Sequence, residues 1–270
     1  AATGNTAMSD DISKILHQWP YEPGVVTARI VRTEDGRERI QLRVDLGLLQ
    51  MELDGRPDGS RPEGYGSWFE YYQHLQEAHD AAHVDSPPFE LDLEACQRLW
   101  IESVQYYHRY LCFWHLAMYE RCARDTQRNL RVFDFVRRHT RDQRARIQFD
   151  QWRPYVLMMH ARAAATPLVA MHQFDSAIGV VEAALDGIHE FLDEYHQLDH
   201  AESCAEWNNL QQWHQELVDA RAKFLASRGE LTVEILRRKL QEAIDREEFE
   251  EAARLRDEIR RRSATEESSR

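Results

Sequence analysis

Three groups of side chains in this 270-residue chain have the types and spacing that could support chemistry. Arg121, Arg124, Arg128 and Arg131 recur at helical intervals, and at 100° per residue they fall within about 80° of the circumference, so they share one face. The segment around them, residues 121–146, holds nine arginines against three aspartates in a chain of formal charge −13. Guanidinium groups suit bidentate recognition of phosphate or carboxylate. The Arg121–Arg146 surface could therefore meet an anion, a nucleic acid or an acidic partner. The competing reading, internal pairing with acidic helices such as Glu182–Glu194, is preferred, because no aromatic interleaving of the single-strand-binding kind accompanies the stripe.

The second group is histidine. His79/His83 and His196/His200 are each four residues apart, with Asp80, Asp193 and Asp199 nearby, a spacing that can set two imidazoles on one metal. A di-iron bundle would need Glu-x-x-His on two helices plus two further glutamates, and the sequence has no such set. With 13 histidines in the chain such pairs arise by chance, and no metal site is assigned. The third group is cysteine. Cys96, Cys112, Cys122 and Cys204 form no CxxC pair and sit in helix-like sequence, so buried free thiols are expected. There is no GxSxG, no Walker or Rossmann glycine pattern and no paired-carboxylate signature. The reading assigns no catalytic residue, no cofactor and no enzymatic activity.

The elements that must position these groups are mostly helical. Apolar residues make up 43%, with seven Trp, ten Tyr and ten Phe, which is ample for a sizeable core in one large or two modest domains. No apolar run reaches the roughly 18–20 residues that span a bilayer. Residues 1–7 read as an expression scar ahead of Met8 rather than a signal peptide. The expectation is a cytoplasmic protein with no membrane partner, and the acidic balance weighs against nucleic acid over the whole surface.

Ser9 or Asp10 can cap a short helix carrying Ile12, Ile15, Leu16 and Trp19, closed by Pro20. Two strand-like runs follow, Val25–Arg32 and Glu38–Leu46. A three-residue loop, Glu34-Asp35-Gly36 with Gly36 left-handed, pairs Ile30 with Ile40, Ala28 with Leu42, Val26 with Val44 and Arg32 with Glu38, giving one clean apolar face. The apolar parity then shifts to Leu49, Met51 and Leu53, for which a bulge or bend at Gly47-Leu48 is expected. Such strands need the bundle, or a second copy in a homodimer, to cover them. Asp54–Gly66 is a glycine- and proline-rich loop, read as ordered structure rather than an anion cradle. Ser67 caps a helix over Trp68–His83. From Leu91 to Arg153 there is neither Gly nor Pro, which predicts long antiparallel helices broken near Asn129 and His139–Thr140. The aromatic run containing Tyr106, Tyr107, Tyr110, Phe113 and Trp114 wraps much of a helix. Core packing is the preferred reading over a metal or small-molecule site in the bundle. A further helix is expected over Ala201–Ser227, ended by Arg228-Gly229.

Residues 231–262, LTVEILRRKLQEAIDREEFEEAARLRDEIRRR, read as two short helices around Asp245–Glu248. Leu231, Ile235, Leu236, Leu240, Ala243 and Ile244 line one arm, and Phe249, Ala252, Ala253, Leu255 and Ile259 the other, at i, i+3, i+4 spacing. The string EEFEEAARLRDEI, with Leu240 and Ala243 upstream, resembles the UVR (UvrB/UvrC) motif. In that family a small helical hairpin joins excision-repair subunits, and it also occurs in Clp-type chaperones and in a regulator of a protein arginine kinase. The kinase-regulator branch adds CxxC zinc motifs that this chain lacks. The resemblance implies docking on another protein: Phe249 as apolar anchor, Ala252 and Ala253 allowing close helix approach, and Glu250, Arg256 and Asp257 supplying charge. Around residues 158–191 a helix pair weakly resembles a tetratricopeptide repeat, with Phe174, Ala177, Ile178, Ala184 and Leu185 on its second helix.

The fold expected is mainly α: a long antiparallel helical bundle with a small N-terminal β-hairpin and a C-terminal UVR-like helical hairpin. The boundaries are 8–66 for the helix, hairpin and loop, 67–228 for the bundle, 230–262 for the UVR-like hairpin and 263–270 for a disordered tail. The leading functional expectation is a non-enzymatic adaptor with a protein partner. The alternatives are a repair or stress factor using the arginine surface, and a metal or small-molecule binder in the aromatic bundle.

Overall fold

The computed structural model describes residues 11–82, 87–227, 233–246 and 248–268. The predicted cap at Ser9 or Asp10 lies outside them, as do residues 1–7, His83, Arg228-Gly229 and Leu231. Asp11 accepts the Ser13 amide at 2.9 Å and opens α1 (Ser13–Gln18). Strands β1 (Ala28–Arg32), β2 (Glu38–Val44) and β3 (Gly47–Glu52) form an antiparallel sheet in that order.

The β1–β2 register is the one the alternation predicts, with Ala28↔Leu42, Ile30↔Ile40 and Arg32↔Glu38. Gly36 sits at φ +78°, a backbone that only glycine adopts without strain, and the Thr33 amide donates to the Arg37 carbonyl at 2.8 Å. The ladder stops at Ala28, so the expected Val26–Val44 pair does not form part of it. The parity change has a different cause from the one expected. Val44 pairs with Gly47 and Leu42 with Leu49. The chain thus makes a second tight hairpin at Asp45-Leu46, and an even-to-odd register moves the inward positions by one. Ile40, Leu42, Met51 and Leu53 then face Tyr110 and Phe113. The bundle covers this part of the sheet's apolar face, while Ile30 on β1 stays 36% exposed.

Ser67 Oγ accepts the Glu70 amide at 3.1 Å, starting α2 (Trp68–Ala82) where predicted. Asp92 caps α3 (Leu93–His115) through the Ala95 amide at 2.7 Å. After α3 come α4 (Tyr119–His139), α5 (Gln143–Asp150), α6 (Arg153–Ala170), α7 (Phe174–Glu194), a 3-10 turn (Leu198–Ser203) and α8 (Ala205–Ser227). Helices α3, α4, α6, α7 and α8 pack in sequence as the bundle. None of the described helices is long and apolar enough to cross a membrane.

The expected break near Asn129 is absent. Asn129 is buried within α4, where its amide donates to the Ser103 carbonyl at 3.0 Å. The break falls instead at Leu116–Met118, while the one at Thr140 is where expected. At the first corner Ala117 turns left-handed at φ 55° and the Met118 amide reaches back to the Phe113 carbonyl at 2.8 Å. This is the hydrogen-bond pattern of a Schellman ending. It recurs at His172 (φ 58°), where Gln173 reaches Leu168 at 2.8 Å, and at His196 (φ 53°), where Gln197 reaches Leu192 at 2.7 Å. Between α6 and α7 the contact surface is lined by Ala161, Ala165, Ala177 and Ala184, which lets the axes approach closely.

Burial holds the imidazoles of His108, His139 and His160 below the ordinary histidine range. His160 lies 3.1 Å from the Ala123 carbonyl of α4, which it meets as a neutral Nδ1–H donor. A depressed folded-state value favours the neutral form. Its stabilising contribution is therefore complete above the unfolded value of about 6.5 and is lost as pH falls through that value. Urea denaturation should show a lower midpoint at pH 5.5 than at pH 7.5, before carboxylates titrate, and His160→Gln should shrink the difference.

Candidate functional site

The four stripe arginines share a face of α4, as the spacing predicts; Arg121 and Arg128 are half-buried against the Asp54–Gly66 loop and α3, and Arg124 and Arg131 are exposed along its edge. Arg121 reaches Asp54 at 3.5 Å, and Arg124 reaches Asp54 at 2.5 Å and the Leu53 carbonyl at 3.0 Å. Arg128 pairs with Glu102 and lies 4.0 Å above the Tyr106 ring. Arg131 lies over Phe69 at 5.6 Å. Among the described residues, Glu182–Glu194 supplies one partner to this segment, Glu194 to Arg137. Further along the segment, Arg141 pairs with Glu90 and Arg146 donates to the Thr140 carbonyl.

Glu102 on α3 is the centre of this arrangement, with 0% exposure. Its carboxylate takes Arg56 at 2.9 Å, Arg128, and the backbone amides of Trp68 at 2.8 Å and Phe69 at 3.2 Å. It therefore caps α2, since the first amides of a helix have no partner inside it. Seven residues on, Arg109 is 1% exposed and grips Asp125 through two nitrogens at 2.7 and 3.0 Å. Its remaining nitrogen donates to the carbonyls of Glu52 at 3.0 Å and Gly55 at 2.8 Å. Gly55 takes φ +67°, which a side chain would resist. Glu102, Arg109 and Asp125 were not picked out from the sequence; the signal for the first two was charge inside the aromatic helix α3, and for Asp125 an acid within the arginine-rich α4.

The other expected groups are separated. Cys96, Cys112 and Cys122 are buried free thiols, whereas Cys204 is half-exposed. Desolvation pushes Cys112 and Cys122 up to about 12, so neither supplies a thiolate. His79 lies beside Asp80 at 3.3 Å. The histidine pairs depend on His83 and on the His200 side chain, both outside the described residues. Among the described residues no group of three or more metal-ligating side chains forms.

The C-terminal segment folds as α9 (Val233–Asp245) and α10 (Phe249–Ser268). Helical backbone thus continues through much of the segment expected as a tail. The turn repeats the body's corner, with the Glu248 amide reaching back to the Ala243 carbonyl at 2.8 Å. Glu250 and Glu251 lie in the first turn of α10, where negative charge suits the helix dipole. Leu236, Ala243 and Ala252 are buried between the arms, and Leu240, Ala253, Leu255 and Ile259 are half-buried. Arg256 and Asp257 are exposed and lie 3.2 Å apart. Phe249 stands out: it is 68% exposed at the tip of the turn, beside Glu248, Glu251 and Arg254.

Residues 233–262 match the family model for the UvrB/uvrC motif. The match spans both arms and the turn of the hairpin, so the UVR motif is the α9–α10 unit. No curated protein and no solved structure matches the chain.

Removing one partner of a buried ion pair strands the other charge, at a cost of about 3–5 kcal/mol. Glu102→Ala should lower unfolding stability by that order in urea titration and raise the rate of limited proteolysis within Asp54–Gly66. Exposed Arg254→Ala should leave both unchanged.

Proposed function

We propose that this protein is a non-enzymatic adaptor that docks another protein through its UVR motif. UVR motifs act as interaction modules, and what carries the reading here is Phe249. A large ring held 68% in solvent, at the tip of a hairpin whose Leu236, Ala243 and Ala252 are buried, gains free energy by meeting something else. The Glu248–Glu251 acids and Arg254 around it favour a partner with a basic rim, which would set orientation and encounter rate more than affinity. The body supports this role as a scaffold. Its interior charges are engaged in holding α2, the Asp54–Gly66 loop, α3 and α4 together.

The repair or stress reading through the arginine surface has less to support it, because Arg121, Arg124 and Arg128 already satisfy carboxylates and carbonyls within the chain. The test is affinity capture from the native host with the intact chain, a chain ending at residue 229, and Phe249→Asp. Partners retained by the intact chain should be lost from both variants. Circular dichroism should show that Phe249→Asp keeps its helical content and melting temperature. An unchanged set of partners would overturn the proposal.

A further inference from the structure

The arginine-rich segment divides in two. Arg121, Arg124 and Arg128 are paired with carboxylates of the body. Beyond them come Arg137, Arg138, Arg141, Arg144 and Arg146 against a single acid, Asp142, a local +4 in a chain of formal charge −13. Asp142 is itself occupied, since it caps α5 by accepting the Ala145 amide at 2.8 Å. Three of these arginines meet in one cleft of about 500 Å³: Arg137 from the last turn of α4, Arg141 from the corner after it, and Arg146 from α5. Glu194 and Tyr195, at the end of α7, line the same cleft.

Which nitrogens are used decides what the cleft can hold. Where arginine ties this fold together, its terminal nitrogens are consumed. Arg109 gives Nη2 to Asp125 and Nη1 to two carbonyls, and Arg124 gives Nη1 to Asp54 and Nη2 to the Leu53 carbonyl. In the cleft the pattern is reversed. Arg141 meets Glu90 through Nε at 3.3 Å, and Arg146 donates from Nε to the Thr140 carbonyl at 2.9 Å. Both guanidinium groups are thus held at the stem. Their two terminal nitrogens, the fork that receives an oxyanion, have no hydrogen-bond partner among the described residues.

The acids of the cleft do not answer these forks. Asp150 is 1% exposed and already accepts from Arg153 at 2.9 Å and from the Tyr195 hydroxyl at 3.0 Å. Glu194 is the exception, a carboxylate 43% in solvent that takes one terminal nitrogen of Arg137. An exposed pair of this kind is weak, so an incoming anion can exchange with it.

We propose that this cleft binds a small compound carrying a diphosphate group. Two open forks give one bidentate site for each phosphoryl group, and Arg137 supplies a third cation. Donors arrive from α4, its corner and α5, and tetrahedral oxygens can accept from several directions where a planar carboxylate cannot. The volume falls within the range of small-molecule sites, roughly 300–1,000 Å³, and Ile147, 43% exposed on the lining, offers apolar surface to an organic group attached to the phosphates. A compact anion fits better than a polynucleotide, which needs phosphate contacts spread along a surface, because the arginines of the neighbouring stripe are engaged within the chain. The assignment is independent of the UVR motif.

The probe is inorganic pyrophosphate, titrated calorimetrically into the full chain at about 0.15 M salt without divalent metal, where surface charges are largely screened. It should bind saturably and at least tenfold more tightly than orthophosphate, which can fill only one fork. Arg141→Gln and Arg146→Gln should each weaken binding at least fivefold. Arg254→Gln, which removes the same charge from the tail, should change it less than twofold. Glu194→Gln should tighten it several-fold by releasing Arg137. Circular dichroism checks that each variant folds; should Arg146→Gln fail to, Arg141→Gln and Glu194→Gln decide. No saturable binding, equal affinity for the two anions, or a loss with Arg254→Gln as large as with Arg141→Gln would each overturn the assignment. So would saturable binding of a single-stranded oligonucleotide with none of pyrophosphate.

Discussion

A carboxylate with no access to water must have its charge answered from within, and Glu102 is answered from four directions. Arg56 comes from the Asp54–Gly66 loop, Arg128 from α4, and two amides from the first turn of α2. The four contacts come from three different elements, so the position of α3 fixes all of them together. Arg109 repeats the arrangement two turns further on, holding Asp125 of α4 on one side and the carbonyls that follow β3 on the other. The net gain in stability from such buried pairs is small, because desolvation offsets most of the attraction. Their consequence is geometric: a loop with little apolar surface of its own is tied to the bundle in one conformation. The sheet follows from that, since β3 leads directly into the tied loop.

The parts that were legible in the sequence are those governed by local rules. Alternation fixed the first hairpin, because slipping β1 by one residue would turn Ile30 and Ala28 away from Ile40 and Leu42. The side-chain cap at Ser67 marks a helix start. The arginine stripe was readable as a stripe, yet its partners were not: Asp54 and Leu53 lie about seventy residues earlier in the chain, and nothing local marks them. The misplaced helix break has a similar cause. Glycine and asparagine are the usual marks of a left-handed ending, but here Ala117 takes that conformation and Asn129 serves an interhelical bond instead.

The UVR motif was the most readable segment, because its string specifies more than an amphipathic pattern. The resemblance implies Phe249 as the anchor and Ala252 as an interhelical contact, a distinction that spacing alone does not make. Spacing makes Ala252 and Phe249 look equivalent, both on the inner stripe of α10. The turn separates them: Ala252 lies between the arms, and Phe249, at the first position of the helix, is carried past the end of α9.

The corner between α6 and α7 shows what a closed version of that turn looks like. Phe174 there occupies the same first position of its helix, and it is 8% exposed because His172 and Phe224 of α8 stack around it. At the α9–α10 corner Phe249 has no such third helix over it among the described residues. Covering one phenylalanine contributes about 1.5–3 kcal/mol, far less than the roughly 8 kcal/mol of a micromolar complex. Used alone, the corner would therefore form encounters that dissociate quickly. A lasting complex would need several such corners engaged at once, or a second contact on the body that holds the hairpin at high local concentration.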